Sequence, residues 1–162
     1  MLKKDRKKAQ EDVIKDLHDN VKAEAVKAKV DLETGVLSAE ELKGMLNTLP
    51  FDITFVDKDD VVRYFSQRKD RIFVRTKAVI GQKIQQCHPQ KSVPIVNRIL
   101  DSFRKGTKDE AEFWRNMQGK LVHTRNFAVK DSSGKYLGCV EVDQDITNIK
   151  KIEGEKILLD WT

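Results

Sequence analysis

Residues 49–66, LPFDITFVDKDDVVRYFS, predict a β-hairpin that the rest of the chain must cover. The first strand alternates apolar and polar side chains, with Asp52 and Thr54 at the polar positions, as in a half-buried strand. The acidic sequence DKDD follows, and it is expected to form a turn because its side chains hydrogen-bond their own backbone. A hairpin alone is marginal in water, so we expect further strands and helices to pack on it.

The composition fits one small domain with helical additions. The chain has 162 residues, of which 39% are hydrophobic and 35% are charged, so it can bury a core. No apolar run approaches the roughly 20 residues of a membrane span, and the basic start MLKKDRKKAQED leads into no apolar segment. We therefore expect a cytoplasmic protein without a membrane partner, in which Cys87 and Cys139 remain thiols.

Positive charge is concentrated between residues 63 and 91. This window contains eight Lys and Arg residues against one Asp, a surplus of seven compared with +5 for the whole chain. A solvated basic face explains such a block, and so does a site for an acidic ligand or partner. Nucleic acid is disfavoured because the window lacks a recognition helix, zinc ligands and a stacking motif. Replacing Arg68, Arg71 and Arg75 with glutamine is expected to weaken binding of an anion and to leave folding intact.

Residues 2–32 are predicted to form one long helix with a thin apolar stripe. The stripe consists of residues spaced three or four apart, namely Ile14, Leu17, Val21, Ala25, Ala28 and Leu32. Such a stripe is too exposed to remain unpaired, so we expect a homodimer through the flanking helices. Ser38 and Glu41 have capping-box spacing and begin a short helix that ends near Pro50.

The second half of the chain alternates between helix and strand signals. Residues 67–84 are basic and aperiodic, and they are expected to form one or two helical turns within a loop. A helix is predicted over residues 89–105, with Gly106 after its end. Three strands are predicted after it, over residues 110–117, 121–129 and 136–146, with turns at Gln118-Gly119 and at DSSG.

This order of elements predicts an α+β fold. Five antiparallel strands form the sheet, and the helices inserted after the second strand cross one face of it, which leaves a cavity between helix and sheet. Helices flank the sheet domain at both ends. The expected organisation is a helical segment at 1–46, a sheet domain at 47–147 and a charged connector helix at 148–162.

The sheet domain resembles a PAS domain in several motifs. FDITFVD at residues 51–57 resembles the first PAS strand, and VIG at residues 79–81 precedes the long helix. DSSGKYLG at residues 131–138 resembles the hairpin before the last strand, and DIT at residues 145–147 resembles the ending of many PAS domains. LPFDITFVDKDD, RYFS and CHPQKSV are most similar to the carboxy-terminal PAS domain of a bacterial and archaeal family that often carries a hemerythrin-like domain upstream.

The resemblance implies sensing or protein interaction without catalysis. PAS domains bind haem, flavins or small acids between sheet and helix, and many dimerise through flanking helices. The reactive-cysteine motif of flavin light sensors is absent from the chain.

His88 is the candidate haem ligand, because it precedes Pro89 where the helix that covers the pocket begins. Cys87 is the competing ligand at that position, and Arg71 and Arg75 are candidates to pair with haem propionates. The alternative is that His88 hydrogen-bonds the turn. Three aromatic residues complete the predicted cofactor pocket: Phe65, Trp114 and Phe127.

No catalytic constellation is present in the sequence. Adjacent residues such as Cys87 and His88 point to opposite sides of an extended chain, and the chain has no nucleophile elbow, phosphate-binding glycine loop or zinc-ligand spacing. We therefore predict a non-enzymatic sensory module that binds a small ligand or haem. The alternative is a dimerisation or docking module whose pocket is filled by its own side chains.

Overall fold

The computed structural model describes residues 29–157, which belong to two compact units divided between Thr48 and Leu49. In the first unit, strands β1 (Lys29–Asp31) and β2 (Val36–Ser38) form an antiparallel hairpin, and helix α1 (Ala39–Thr48) follows. Glu41 donates its backbone N–H to the Ser38 hydroxyl at 3.2 Å and accepts the Ser38 N–H at 2.7 Å. The predicted capping box is therefore confirmed.

The hairpin β1–β2 corrects the helix predicted over residues 2–32. Lys29–Asp31 is a strand, and the part of the predicted helix before residue 29 lies outside the described residues. Asp31 accepts the backbone N–H of Glu33 at 2.9 Å, and Glu33 takes a left-handed φ of 65°. This side-chain bond stabilises a local turn in competition with the helix.

The second unit is built on the predicted five-stranded antiparallel sheet, which the structure confirms. Its strands are β3 (Asp52–Asp57), β4 (Val62–Phe65), β5 (Glu110–Met117), β6 (Lys120–Lys130) and β7 (Tyr136–Asp145). The spatial order is β4-β3-β7-β6-β5, so the last strand lies at the centre beside the first strand of the unit.

The predicted hairpin turns between these strands are also confirmed. Gln118 and Gly119 both have positive φ, 51° and 76°, which is the two-residue turn that suits the twist of a hairpin. In the next turn, Asp131 accepts the backbone N–H groups of Ser133 and Lys135 at 2.9 and 3.0 Å. Local side-chain chemistry therefore forms both turns.

Short helices connect β4 to β5 and cover one face of the sheet. Three 3₁₀ helices (Lys77–Val79, Ile84–Cys87 and Gln90–Ser92) precede helix α2 (Val93–Arg104). Pro94 lies in the first turn of α2, and Gly106 follows its end with a φ of 67°, as predicted. Leu100 and Phe103 of α2 are buried against Val56 and Cys139 of the sheet.

The carboxy-terminal helix predicted from residue 148 is wrong over the described residues. Only Ile149–Lys151 forms a 3₁₀ turn, and residues 152–157 are irregular. Gly154 takes a left-handed φ of 65°, and Ile152 and Ile157 are exposed, so no apolar face stabilises a helix here. Among the helices formed by residues 29–157, none has the length and apolar character that crossing a membrane requires.

Candidate functional site

The two faces of the sheet differ in what covers them. Val56, Cys139 and Ala128 lie side by side on the face that packs against α2, which we call the inner face. On the opposite, outer face, Phe55 lies beside Val140 and Val140 beside Phe127. Since cross-strand partners share a face, the register assigns every strand residue to one side.

The inner face is apolar at one end and polar at the other. Beneath α2, burial raises the pKa of the Cys139 thiol to about 12, and Glu141 adds to this effect, so the thiol stays protonated. Further along β7, the inner face carries charged and polar side chains under the irregular segment 67–76. We call this region the polar chamber, and it consists of Asp52, Thr54, Ser66, Arg71, Arg75, Thr124, Asn126, Glu141 and Asp143.

Arg71 is the main attachment of segment 67–76 to the sheet. Its guanidinium donates to the Ser66 carbonyl oxygen at 2.6 Å, to the Thr54 hydroxyl at 3.1 Å and to the Phe73 carbonyl oxygen at 2.9 Å. It also lies 3.9 Å from the Asp52 carboxylate and 5.3 Å from the centre of the Phe65 ring. Burial lowers the pKa of this guanidinium, and Asp52 opposes the shift.

The carboxyl groups of Asp52 and Asp143 face each other inside the chamber. The two residues are direct cross-strand partners on β3 and β7, and both are buried, with relative exposures of 0% and 1%. Asp52 Oδ2 accepts the backbone N–H of Ile72 at 2.7 Å, and Asp143 Oδ1 accepts the Thr124 hydroxyl at 2.6 Å. Burial raises the pKa of Asp143 to about 7, with a further contribution from the negative charge of Glu141.

Three polar atoms of the chamber are buried and unpaired. Within residues 29–157, six buried side-chain atoms have no hydrogen-bond partner, and three of them belong to the chamber: Asp52 Oδ1, Asp143 Oδ2 and Arg75 Nε. The other three are the hydroxyls of Tyr64 and Tyr136 and the Nε of Arg125. Arg75 donates through its Nη2 to Glu141 Oε1 at 3.2 Å, while its Nε–H stays unused. Buried polar groups are usually paired in folded proteins, so these atoms mark a place where a partner is expected.

The basic window is a solvated face only in part, because five of its eight Lys and Arg residues are exposed and the other three are not. The side chains of Arg71 and Arg75 are only 7% and 10% exposed, and that of Arg68 is 17% exposed. All three form ion pairs, with Asp52, Glu141 and Asp70 respectively. Segment 67–76 crosses the acidic end of the inner face, where Arg71 pairs with Asp52 and Arg75 with Glu141. Their replacement with glutamine is therefore expected to affect folding, contrary to the sequence-based expectation.

His88 and Cys87 lie at the end of the 3₁₀ helix Ile84–Cys87, next to the apolar end of the inner face. The Nδ1–H of His88 donates to the Ile84 carbonyl oxygen at 3.0 Å, which confirms that this ring hydrogen-bonds the turn. Cys87 packs against the apolar cluster, and its Sγ lies 3.9 Å from the Lys83 carbonyl oxygen.

The predicted aromatic residues are separated by the sheet. Phe65 is a cross-strand partner of Thr54, so it lies on the inner face, where Arg71 covers its ring. Trp114 is paired with His123 and Phe127 with Val140, which places both aromatic residues on the outer face. Trp114 is 64% exposed there. The structure therefore does not bring these three rings into one pocket.

These placements bear on the predicted haem pocket. The two arginines expected to hold propionates are bound inside the polar chamber, and two of the aromatic residues are on the far face. His88 retains one ring nitrogen, Nε2, that the turn does not use. The residues of the predicted haem pocket, taken as a set, do not fit this arrangement.

Sequence reasoning missed the acidic and polar side chains of the inner face. Asp52 and Thr54 occupy the polar positions of the first strand and were therefore predicted to face solvent, yet both are buried. Thr124, Asn126 and Asp143 on β6 and β7 are also buried. The available signal was the recurrence of short polar side chains at alternate positions of β3, β6 and β7, which matches one shared face.

A concavity lies at the edge of this region. A cavity of about 180 Å³ is lined by residues that include Arg68, Asp70, Lys120 and Asp145. Its charges pair with each other, since Arg68 lies 2.9 Å from Asp70 and Lys120 lies 3.6 Å from Asp145. It is smaller than the several hundred Å³ that are typical of a ligand pocket.

Comparisons with known proteins agree with this architecture. The chain is similar to a C-terminal domain from Streptococcus mutans in a crystal structure, with 31% sequence identity, a TM-score of 0.73, and coverage of 79% of this chain and 99% of that one. It shares its fold with the PAS domain of BvgS from Bordetella pertussis, at 17% identity and a TM-score of 0.50, over 69% of this chain and 91% of that one. No match was found among curated proteins. The family model of the PAS domain matches residues 42–147, and this chain belongs to the PAS domain family.

Proposed function

We propose that this chain is a non-enzymatic sensory module whose polar chamber binds a small polar ligand. The observation that carries the proposal is the set of three buried, unpaired atoms, Asp52 Oδ1, Asp143 Oδ2 and Arg75 Nε. They belong to adjacent groups on the inner face and on the segment that covers it. A ligand that accepts one hydrogen bond and donates two would pair all three.

The energetics favour a ligand over a permanently filled interior. A buried donor or acceptor without a partner costs about 1–3 kcal/mol, so three such atoms offset much of the stability of a small domain. A docking module that needs no ligand would be more stable with apolar side chains at Asp52 and Asp143. The retained polar groups are therefore better explained by binding than by packing.

Segment 67–76 is suited to admit a ligand and to report its presence. It contains no helix or strand, and the side chain of Val74 is 90% exposed. Its bonds to the sheet are mainly the Arg71 contacts, the Ile72 N–H bond to Asp52 and the Arg75 pair with Glu141. Ligand binding at Arg75 and Asp52 would change two of these three attachments, and the segment leads directly into the 3₁₀ helix Lys77–Val79.

Native mass spectrometry tests this proposal. The full chain is dialysed, incubated with the small-molecule fraction of a bacterial cell extract, and measured under native and denaturing conditions. We expect a stoichiometric additional mass that is present only in the native spectrum and that is lost in Arg75→Gln, measured at a temperature where circular dichroism shows this variant to be folded. Arg63→Gln is the matched control, because Arg63 is exposed and pairs with Asp57 far from the chamber. An additional mass retained by Arg75→Gln, or none in the wild type, would contradict a ligand in this chamber.

Haem ligation by His88 stays a prediction. Hemin titration of the wild type, His88→Ala and Cys87→Ser tests it. Loss of the Soret shift in His88→Ala alone would assign the iron to this ring. Membership of the hemerythrin-linked family and a cytoplasmic location also stay predictions.

The docking alternative differs from the sensor in a measurable way. The exposed Trp114 on the outer face, beside His123 at a ring-centre distance of 6.4 Å, offers an apolar contact for a second chain. A docking module would keep its partner when Asp52 and Asp143 are neutralised to asparagine, whereas a ligand-dependent sensor would lose its response.

A further inference from the structure

We infer that the ligand of the polar chamber is a small organic cation, whose ammonium group donates hydrogen bonds to both Asp52 and Asp143. This inference rests on the proposed function and adds the charge of the ligand to it. It follows from the balance of charges in the chamber, from the opposition of the two carboxyl groups, and from the donors that already surround them.

The chamber contains more acidic than basic groups. Three carboxyl groups, those of Asp52, Glu141 and Asp143, face two guanidinium groups, those of Arg71 and Arg75. With all five groups ionised, one negative charge remains without a cationic partner. A buried charge of this kind is costly unless it is paired or protonated.

Asp143 is the carboxyl group of the chamber that lacks an ion-pair partner. Arg75 pairs with Glu141 at 3.2 Å, and the ion pair of Arg71 is with Asp52. The partner that Asp143 has is the neutral hydroxyl of Thr124, at 2.6 Å. An additional cation in the chamber would therefore be drawn to this carboxylate.

The geometry suits an ammonium group. Asp52 and Asp143 are directly opposed on neighbouring strands, where side chains begin about 5 Å apart, and each keeps one oxygen unpaired. An ammonium group has several N–H donors on one nitrogen, so a single group can reach both oxygens. An oxygen acceptor elsewhere on the ligand would receive the unused Nε–H of Arg75. Within residues 29–157, no group of three metal-ligating side chains is placed to bind a metal ion instead.

A proton competes with this cation for Asp143. The pKa of Asp143 is raised to about 7, first by burial and then by Glu141, so the carboxyl is about half protonated at neutral pH. The groups that face it from the packed elements are Asp52 on β3, Glu141 on its own strand, Thr124 on β6, and Arg71 and Arg75 on segment 67–76. An ammonium ligand displaces the proton from Asp143. The ligand itself stays charged over this range, because an alkyl ammonium group keeps its proton through pH 8.

Three probes of equal size separate charge from shape: propylammonium, 1-propanol and propionate. Each is titrated into the ¹⁵N-labelled full chain, and backbone amide shifts are followed. We expect propylammonium alone to shift the signals of Asp52, Asp143 and their neighbours. Its affinity should rise about tenfold from pH 6 to pH 8, as Asp143 loses its proton.

Two variants sharpen the experiment. Asp143→Asn should weaken propylammonium binding at pH 8 and remove the pH dependence, while the exposed Asp59→Asn should change neither. Propionate binding in the chamber would overturn the inferred ligand charge and leave the proposed function standing. No chamber shift with propylammonium, or a pH dependence unchanged in Asp143→Asn, would also overturn the inference. The native mass measurement with cell extract judges the proposed function separately.

Discussion

The buried carboxyl group of Asp143 should make the stability of this protein depend on pH in an unusual direction. Its pKa rises from 3.8 to about 7 on folding, because burial and Glu141 disfavour the charged form. The folded state therefore binds the proton more tightly than the unfolded state. The contribution of this group to the free energy of unfolding is complete below pH 3.8, falls as the pH rises toward 7, and is constant above 7.

The size of the effect follows from the difference between the pKa values of Asp143 in the unfolded and folded states. Each unit of pKa difference corresponds to about 1.4 kcal/mol, so the shift of Asp143 corresponds to about 4 kcal/mol in total and to about 3 kcal/mol between pH 5 and pH 8. In Asp143→Asn the group no longer titrates. Its amide can still accept the Thr124 hydroxyl and can donate to Asp52 Oδ1 across the strands.

Urea unfolding followed by circular dichroism measures the prediction. Relative to the wild type, the free energy of unfolding of Asp143→Asn should rise by about 3 kcal/mol from pH 5 to pH 8. This corresponds to a relative shift of the urea midpoint of more than about 1 M. The exposed Asp59→Asn serves as the matched control and should follow the wild type at both pH values. Parallel pH profiles for the wild type and Asp143→Asn would refute a buried proton at this site.

Three further predictions concern packing, the chamber and assembly. Gly138→Ala should abolish stable folding or cost more than about 3 kcal/mol, because its Cβ would clash with the Val56 carbonyl oxygen. An unchanged urea midpoint would contradict the close approach of these strands. Arg71→Lys should cost about 3 kcal/mol, since lysine cannot replace the guanidinium contacts, whereas Arg63→Lys should cost little; equal urea midpoints for the two variants would contradict the anchoring role. Removal of residues 1–36 should convert a homodimer into a folded monomer in light scattering, and a full chain that is already monomeric at high concentration would contradict the predicted dimer.

Much of the local structure could be predicted from the sequence because it depends on neighbouring residues. The turns at Gln118-Gly119 and Asp131 form through backbone freedom and side-chain hydrogen bonds within a few residues. The same holds for the α1 capping box at Ser38 and for the end of α2 at Gly106. These signals, together with alternation along the strands, were sufficient for the five-stranded α+β domain.

Local signals were misleading where two local solutions compete. An apolar stripe predicted a helix through Leu32, whereas the Asp31 carboxylate and the left-handed Glu33 form a turn that closes a hairpin. The spacing of apolar residues gives no information about the stability that this side-chain hydrogen bond adds to the turn.

The candidate site was decided by the tertiary structure. Alternation with period two states that Asp52 and Ile53 face opposite sides, but it does not state which side a later segment will cover. The pairing of β3 with β7 brings Asp52 opposite Asp143, which is ninety-one residues away in the chain, and the path of segment 67–76 places Arg71 and Arg75 over them. Because these contacts join distant parts of the sequence, only the folded sheet determines that Arg71 and Arg75 of the basic window are internal and that their acidic partners lie together on the inner face.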